Sequence, residues 1–543
     1  MACLMQLGFF MIAQVTSGTV LGIQGELVTV ELETSPGLPE FSALGANDPI
    51  IKESRHRIAS ALRALDIDIP SKRIIVNLAP ATLPKRGTNF DLPIAIALLI
   101  STGQIDQESI ADVVMVGELS LDGGLRGIRG VIPIGMRSIL QGVKTLIIPA
   151  ENGAEASTLP NIEVFAASHL IEVIEHLRGG QSLHRIKPVA WTRSEKNLKS
   201  FPNIIGQPVA KRAIEIAAAG NHHILFSGPP GSGKTMLAEI FPSLLPPLTD
   251  VEALEVMAIH SMIGSSKIPQ RVRPFRAPHH HTTPVGLTGG GTVPTPGEVT
   301  LAHRGVLFLD ELPEFSRASL EALREPLSSG AVTVSRAGGR EIFPAKFVLI
   351  AAMNPCPCGY YGIDDYSCRC SLPEIIRYQQ KLSGPILDRI PIRVVMAPAK
   401  EYEFCNSTES CMEVDSTLKR IAQARAMQIK RFEKPNSELT HHELVAIIYN
   451  DKNIQNLLAK LSKEYVLTYR AMDLALQVAL TIANIEGRGE LKEDDLLESV
   501  SYQRSVLQRD LSRRLIRRPQ GSGHLQRDNV KERTEDGNST FGG

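Results

Sequence analysis

Cysteine is scarce in this chain. Seven of its 543 residues are cysteine, and four of them crowd between positions 356 and 370. A secreted scaffold stapled by disulfides spreads its cysteines more evenly, so a reducing cytoplasm is the expected compartment. Net charge is also missing, because 58 lysines and arginines balance 58 aspartates and glutamates. This composition argues against a uniformly basic nucleic-acid binder but leaves room for a local basic surface or pore. Apolar runs long enough to cross a bilayer are absent, and no membrane partner is expected. The first 15 residues, MACLMQLGFFMIAQV, are apolar and uncharged, yet they lack the basic n-region and small-residue cleavage site of a signal peptide. They are read as surplus residues leading into a strand, with Met11 as the candidate start of translation. No internal repeat is found.

The chain is long enough for about two to four domains, and composition divides it. Residues 13–180 alternate β-rich runs (Glu26–Glu33, Arg73–Leu78, Val113–Val116, Thr145–Ile148) with helical patterns (Ile51–Leu65, Leu92–Thr102), which predicts an α/β or α+β domain. Residues 181–200 are polar and aperiodic and read as a linker. Over 201–399 short apolar strands alternate with helices, as in a parallel sheet with crossovers. Strand signals vanish over 415–510, where a small helical domain is expected, and the tail 519–543 is too poor in apolar residues to fold.

The central region carries a phosphate site. The strand His223–Ser227 runs into GPPGSGKT at 228–235 and then into a helical pattern from Met236, the P-loop in its strand–loop–helix context. Gly228, Gly231 and Gly233, with Pro229, Pro230 and Ser232 between them, let backbone N–H groups curl around phosphates. Lys234 reaches the β/γ-phosphates and Thr235 holds Mg²⁺. A second apolar strand, Gly305–Leu309, ends in Asp310 and Glu311. Asp310 suits the Mg²⁺ shell, and Glu311 suits a base for the attacking water. A third strand, Phe347–Ala352, leads to Asn354, whose amide can hold that water or the γ-phosphate in the sensor-1 position. Two further arginines, Arg389 and Arg470, are open between a catalytic role and an ordinary surface one.

These residues and their neighbours resemble a known family, the magnesium-chelatase-like AAA+ ATPases of the ComM/YifB group. The resemblance spans about 15–510 and rests on VNLAPATLPKRGTNFDLPIA (76–95), GELSLDGGLRGIRGV (117–131), GPPGSGKT, RPFRAPHH (273–280), PGEVTLAHRGVLFLDELPEF (296–315), AAMNPCPCG (351–359) and SGPILDRI (383–390). It implies an ATP- and Mg²⁺-dependent ring, a homohexamer, with Arg389 as an arginine finger reaching the neighbour's γ-phosphate. Arg470, in LTYRA, matches a sensor-2 arginine clamping nucleotide from a helical lid. The N-terminal domain resembles the Lon-protease (ribosomal S5-like) fold. Where that family has its nucleophilic serine this chain has Asn89, and 129–134 holds no lysine, so peptide hydrolysis is not expected. The family is associated with DNA branch migration in natural transformation, which implies DNA and recombination proteins as partners. A protein remodeller or a chelatase-type metal-insertion subunit is the alternative client class. Four positions depart from the family pattern: Pro391, Leu474, Leu480 and Asn484.

Cys356, Cys358, Cys368 and Cys370 form a CxC–x₉–CxC arrangement suited to a structural tetrahedral Zn²⁺, with reduced thiols or a redox pair as the alternatives. His279, His280 and His281 are adjacent, and an extended segment would point them to alternate faces. With Arg273, Arg276 and GLTGGG (286–291) they read instead as a loop facing a pore or DNA. Arg513, Arg514, Arg517 and Arg518 are either a second DNA contact or a solvated helix end.

Overall fold

The computed structural model describes residues 12–503 apart from 45–48, 84, 86–87, 190–205, 265–270, 292–293, 337–338, 363–366, 399–411, 450 and 466. Residues 1–11, the later part of the 181–200 segment, the Arg513–Arg518 cluster and the tail 519–543 lie outside the described residues.

The N-terminal part is built on an eight-stranded mixed sheet. Its strand order is His184–Arg185, Glu163–Ala167, Thr145–Pro149, Val113–Met115, Ala13–Leu21, Gln24–Ser35, Arg73–Ala79 and Glu40–Leu44. Val28, Val30 and Leu32 alternate inward and are fully buried, which is the period-two pattern of a strand with one covered face. The helix Asp91–Ser101 fills that face, buried along ten of its eleven residues. Its single carboxylate, Asp91, is tolerable there because Arg57 grips it at 2.6 and 3.0 Å and the Leu119 N–H donates to it at 3.2 Å. Asn89, just ahead of this helix, donates its amide to the Gly18 carbonyl. The segment after Gly179 is not free chain throughout: His184 and Arg185 pair antiparallel with Ala166 and Phe165. Two residues are too short for a periodicity to show.

This part is joined to the next through a shared apolar core. Val131, Ile132 and Ile134, on the helix Val131–Leu140, pack with Ala258 and Met257 of the helix Asp250–Met262. The Gly130 N–H donates to the Ser261 carbonyl at 3.1 Å.

The central sheet has five strands in the order Phe275–Arg276, Val306–Leu309, Val348–Met353, Ile224–Ser227 and Ile392–Val395. Every neighbouring pair is parallel. Strands buried on both faces read as continuous apolar runs, which is why VLFL and VLIAAM were legible. Helical residues Ile421, Ala424, Val478 and Ile482 enter the core of this sheet alongside Phe226 and Phe308. The remaining C-terminal helices, His441–Ile448, Lys452–Tyr465 and Glu493–Tyr502, close a second core around Leu444, Leu461, Leu476 and Leu496. The helix Tyr469–Ile485 serves both.

A buried histidine marks that junction. Thr481 gives its one hydroxyl proton to the Gln477 carbonyl at 2.9 Å, so His222 must donate from Nε2 to reach Thr481 at 2.8 Å. Its Nδ1 is then a bare, buried nitrogen without a hydrogen-bond partner among the described residues. Burial, with His223 and Arg425 adding to it, pushes the His222 pKa down to about 3. Between the ordinary histidine value of about 6.5 and that depressed value, only the unfolded chain takes up the proton, so stability falls as pH falls, by about 1.4 kcal/mol per pH unit from this group. Thermal melts of the wild type should therefore drop in midpoint from pH 7 to pH 5. In His222→Gln, which keeps a donor toward Thr481, the decline should be shallower; an identical slope would remove His222 from the account.

Candidate nucleotide site

Ligands of open parallel sheets lie beyond the carboxyl ends of the strands, and the P-loop, Asp310, Glu311 and Asn354 gather there. The strand Ile224–Ser227 delivers the loop 228–233, with Gly231 and Gly233 at φ of +75° and +91°. The helix Lys234–Leu244 begins two residues earlier than the Met236 start expected, so Lys234 and Thr235 lie in its first turn, where backbone N–H groups lack helical partners and favour an anion. Lys234 is buried. Its Nζ lies 2.7 Å from the carbonyls of Gly228 and Pro229 and 3.3 Å from Asn354 Oδ1. Burial lowers its pKa while Asp310 opposes the shift. Thr235 Oγ1 donates to Asp310 Oδ2 at 3.3 Å, bringing together the two oxygens expected to hold Mg²⁺. The donor set fits a nucleotide phosphate: N–H groups and an ammonium for the oxygens, a hydroxyl and a carboxylate for a hard cation.

Glu311 is exposed and held at φ +50°, a left-handed conformation costing a non-glycine residue about 1–3 kcal/mol and concentrated at functional sites. His280 Nδ1 lies 3.3 Å from its Oε2. The three histidines do not splay as an extended segment would make them. A turn closed by Thr282 N–H on the His279 carbonyl at 2.9 Å gathers the rings, with centroids 4.1–5.0 Å apart. Arg273 and Arg276 are both engaged within the chain. Arg273 donates to the carbonyls of Pro246 and Arg304 at 2.6 Å each, and Arg276 forks onto Glu298 at 2.6 and 2.8 Å. The GLTGGG stretch is largely folded, as the helix Pro284–Thr288 and the start of a hairpin from Gly289–Gly290 to Thr295–Pro296. The histidine contact with Glu311 was missed from sequence. No sequence signal marked it, because the strand Phe275–Arg276 lies beside Val306–Leu309 only through the pairing of the sheet.

Arg389 and Arg470 are not at the P-loop. Both line a cavity of about 490 Å³ together with His223, Arg304, Phe347 and Pro391, residues that precede or begin the sheet strands. The cavity thus sits at the amino-terminal edge of the sheet, opposite the nucleotide loop. Arg389 donates to Ser328 Oγ at 2.7 Å and to the Pro385 carbonyl at 2.6 Å, and burial, then Arg470, lowers its pKa. Among the described residues neither arginine makes an ion pair. Of the four departures, Pro391 and Leu474 line this cavity. Leu480 is buried in the helical core, and Asn484 accepts from Asn436 at 3.0 Å and donates to the Arg488 carbonyl at 3.0 Å.

The four cysteines come together: Sγ of Cys356, Cys358 and Cys368 are 3.3–3.7 Å apart, and with Cys370 all four sulfurs lie within 4.8 Å of one another.

Such a sheet, P-loop and carboxyl-edge set define an AAA+ ATPase of the magnesium-chelatase type. Models of that family match the chain three times: "Magnesium chelatase, subunit ChlI" over 200–404, "Subunit ChlI of Mg-chelatase" over 30–152 and "Magnesium chelatase, subunit ChlI C-terminal" over 412–503. The chain is 41% identical over 503 residues to competence protein ComM of Haemophilus influenzae, covering 91% of this chain and 98% of that one. It is 40% identical to YifB of Escherichia coli over 89% of this chain and 95% of that one. Similarity to the magnesium-chelatase 67 kDa subunit of Chlorobaculum tepidum is lower, 24% over 55% of this chain and 42% of that subunit. The chain belongs to the ComM/YifB family of magnesium-chelatase-like AAA+ proteins. No described helix is long and apolar enough to cross a membrane.

Proposed function

We propose that the chain is an ATP-driven DNA motor that works as a homo-oligomeric ring, a hexamer, promoting branch migration and heteroduplex extension during transformation and recombination. One observation carries the ring: the P-loop set and the two arginines Arg389 and Arg470 lie at opposite edges of one sheet, so a site holding both kinds of residue needs two copies of the chain. Within one copy, the backbone of 228–233 and Lys234 bind the phosphates. Thr235 and Asp310 hold Mg²⁺, which neutralises phosphate charge. Glu311 accepts the proton of the attacking water, and Asn354 orients that water. Arg389 and Arg470 both come from the neighbouring copy, Arg470 clamping the nucleotide from that copy's helical lid. The four cysteines hold a structural zinc ion.

The DNA client is supported by the likeness to a competence protein and not by charge, which is balanced. The N-terminal domain is a scaffold or substrate-binding module. Asn89 spends its amide on the Gly18 carbonyl, a structural bond that supports no peptidase. ATP hydrolysis by the purified chain should rise with branched or single-stranded DNA and stay flat with an unfolded protein or a porphyrin. The reverse pattern would replace the DNA client with a protein or tetrapyrrole one.

A further inference from the structure

The cysteine cluster is built into the nucleotide site. Cys356 follows Asn354 by two residues and is fully buried. The Cys356 carbonyl accepts from the Gly359 N–H at 3.0 Å, closing a turn that presses Gly359 onto the P-loop. A Cβ at Gly359 would lie 2.7 Å from Pro230 Cδ and 3.9 Å from Asn354 Cγ, and its φ is +87°, so this position requires glycine twice over. The second cysteine pair leads directly into the helix Leu372–Gln380, capped by Ser371 and Glu374. That helix reaches back: Gln379 Nε2 donates to the Pro355 carbonyl at 2.9 Å, and the next residue but one, Lys381, pairs with Glu314 at 3.0 Å, three residues beyond Glu311.

The sulfurs suit one ion. A tetrahedral zinc site with Zn–S of about 2.3 Å places its sulfurs about 3.8 Å apart, close to the 3.3–3.7 Å separations here. All four cysteines are free thiols, and four thiolates crowded this closely repel unless a cation joins them.

We propose that Cys356, Cys358, Cys368 and Cys370 bind zinc and that the ion acts as a clamp, fastening the Asn354 turn to the P-loop at Pro230 and to the helix Leu372–Gln380. Zinc loss then frees Gly359 from Pro230, loosens Asn354 against Lys234 and weakens nucleotide binding, although no cysteine touches the nucleotide. The coupling rests on the ATP site proposed above; the metal site does not.

Elemental analysis of the purified full chain should give one zinc ion per chain, and Cys356→Ser/Cys368→Ser should abolish it. With secondary structure preserved by circular dichroism, this variant should bind a fluorescent ATP analogue at least about tenfold more weakly, about 1.4 kcal/mol. Cys370→His, which keeps a tetrahedral ligand set, should retain both zinc and affinity. Gly359→Ala should keep zinc yet lose affinity, separating the contact from the ion. A wild type without zinc overturns the metal site. A folded, zinc-free variant with unchanged affinity overturns the clamp. A zinc-loaded wild type that ignores nucleotide instead overturns the ATP site.

Discussion

Glu311→Gln should bind ATP normally and hydrolyse it about 10²–10⁴-fold more slowly, the range lost with a general base. The substitution keeps size and hydrogen bonding and removes only the capacity to take a proton. Glu311 is exposed, so its loss costs the core nothing, and Lys234, Thr235 and Asp310 keep their mutual contacts. A fall in turnover with unchanged nucleotide affinity is the signature to measure, because lost binding would instead implicate the loop. Normal turnover would remove Glu311 from the chemistry and shift attention to His280, 3.3 Å away.

Arg389→Ala should lower turnover by about 10³-fold or more, the range known for arginine fingers, and should do so without weakening nucleotide binding to the isolated chain. The reason is topological: a residue at the amino-terminal edge of the sheet cannot reach a phosphate at the carboxyl edge of the same sheet. Mixing inactive Arg389→Ala with inactive Lys234→Ala should therefore recover activity. Some interfaces then pair an intact P-loop from the first variant with an intact arginine from the second. No recovery on mixing, with rings confirmed by light scattering, would mean that the two residues serve one chain. Arg389 also holds Ser328 and the Pro385 carbonyl, so Arg389→Lys is the companion variant that keeps a cation while losing the planar fork.

Much of the site was legible because its chemistry is local. GPPGSGKT needs only consecutive residues to build a phosphate cradle, and a run such as VLFLDE announces a buried strand ending in carboxylates. The cysteine cluster was legible for the same reason, since its four members lie within 15 residues of sequence. His279–His281 misled because a period-two rule assumes extended chain, and a single turn at His280 cancels it. The partners of Arg273 and Arg276, the Pro246 and Arg304 carbonyls and Glu298, come from other segments, so no local pattern shows them. The pairing of His184–Arg185 was invisible because a two-residue strand has no period.

Sequence alone thus pointed to the class of chemistry: a P-loop, a carboxylate pair, a polar amide at a strand end and a four-cysteine cluster. Tertiary structure alone decided where each part acts. It put Arg389 and Arg470 in one cavity on the far edge of the sheet, Gly359 against Pro230, and His280 against Glu311. The physical reason is that a strand's residue pattern specifies which faces are buried, whereas the order of strands in the sheet, and so which loops share an edge, is set by crossovers that no local pattern encodes.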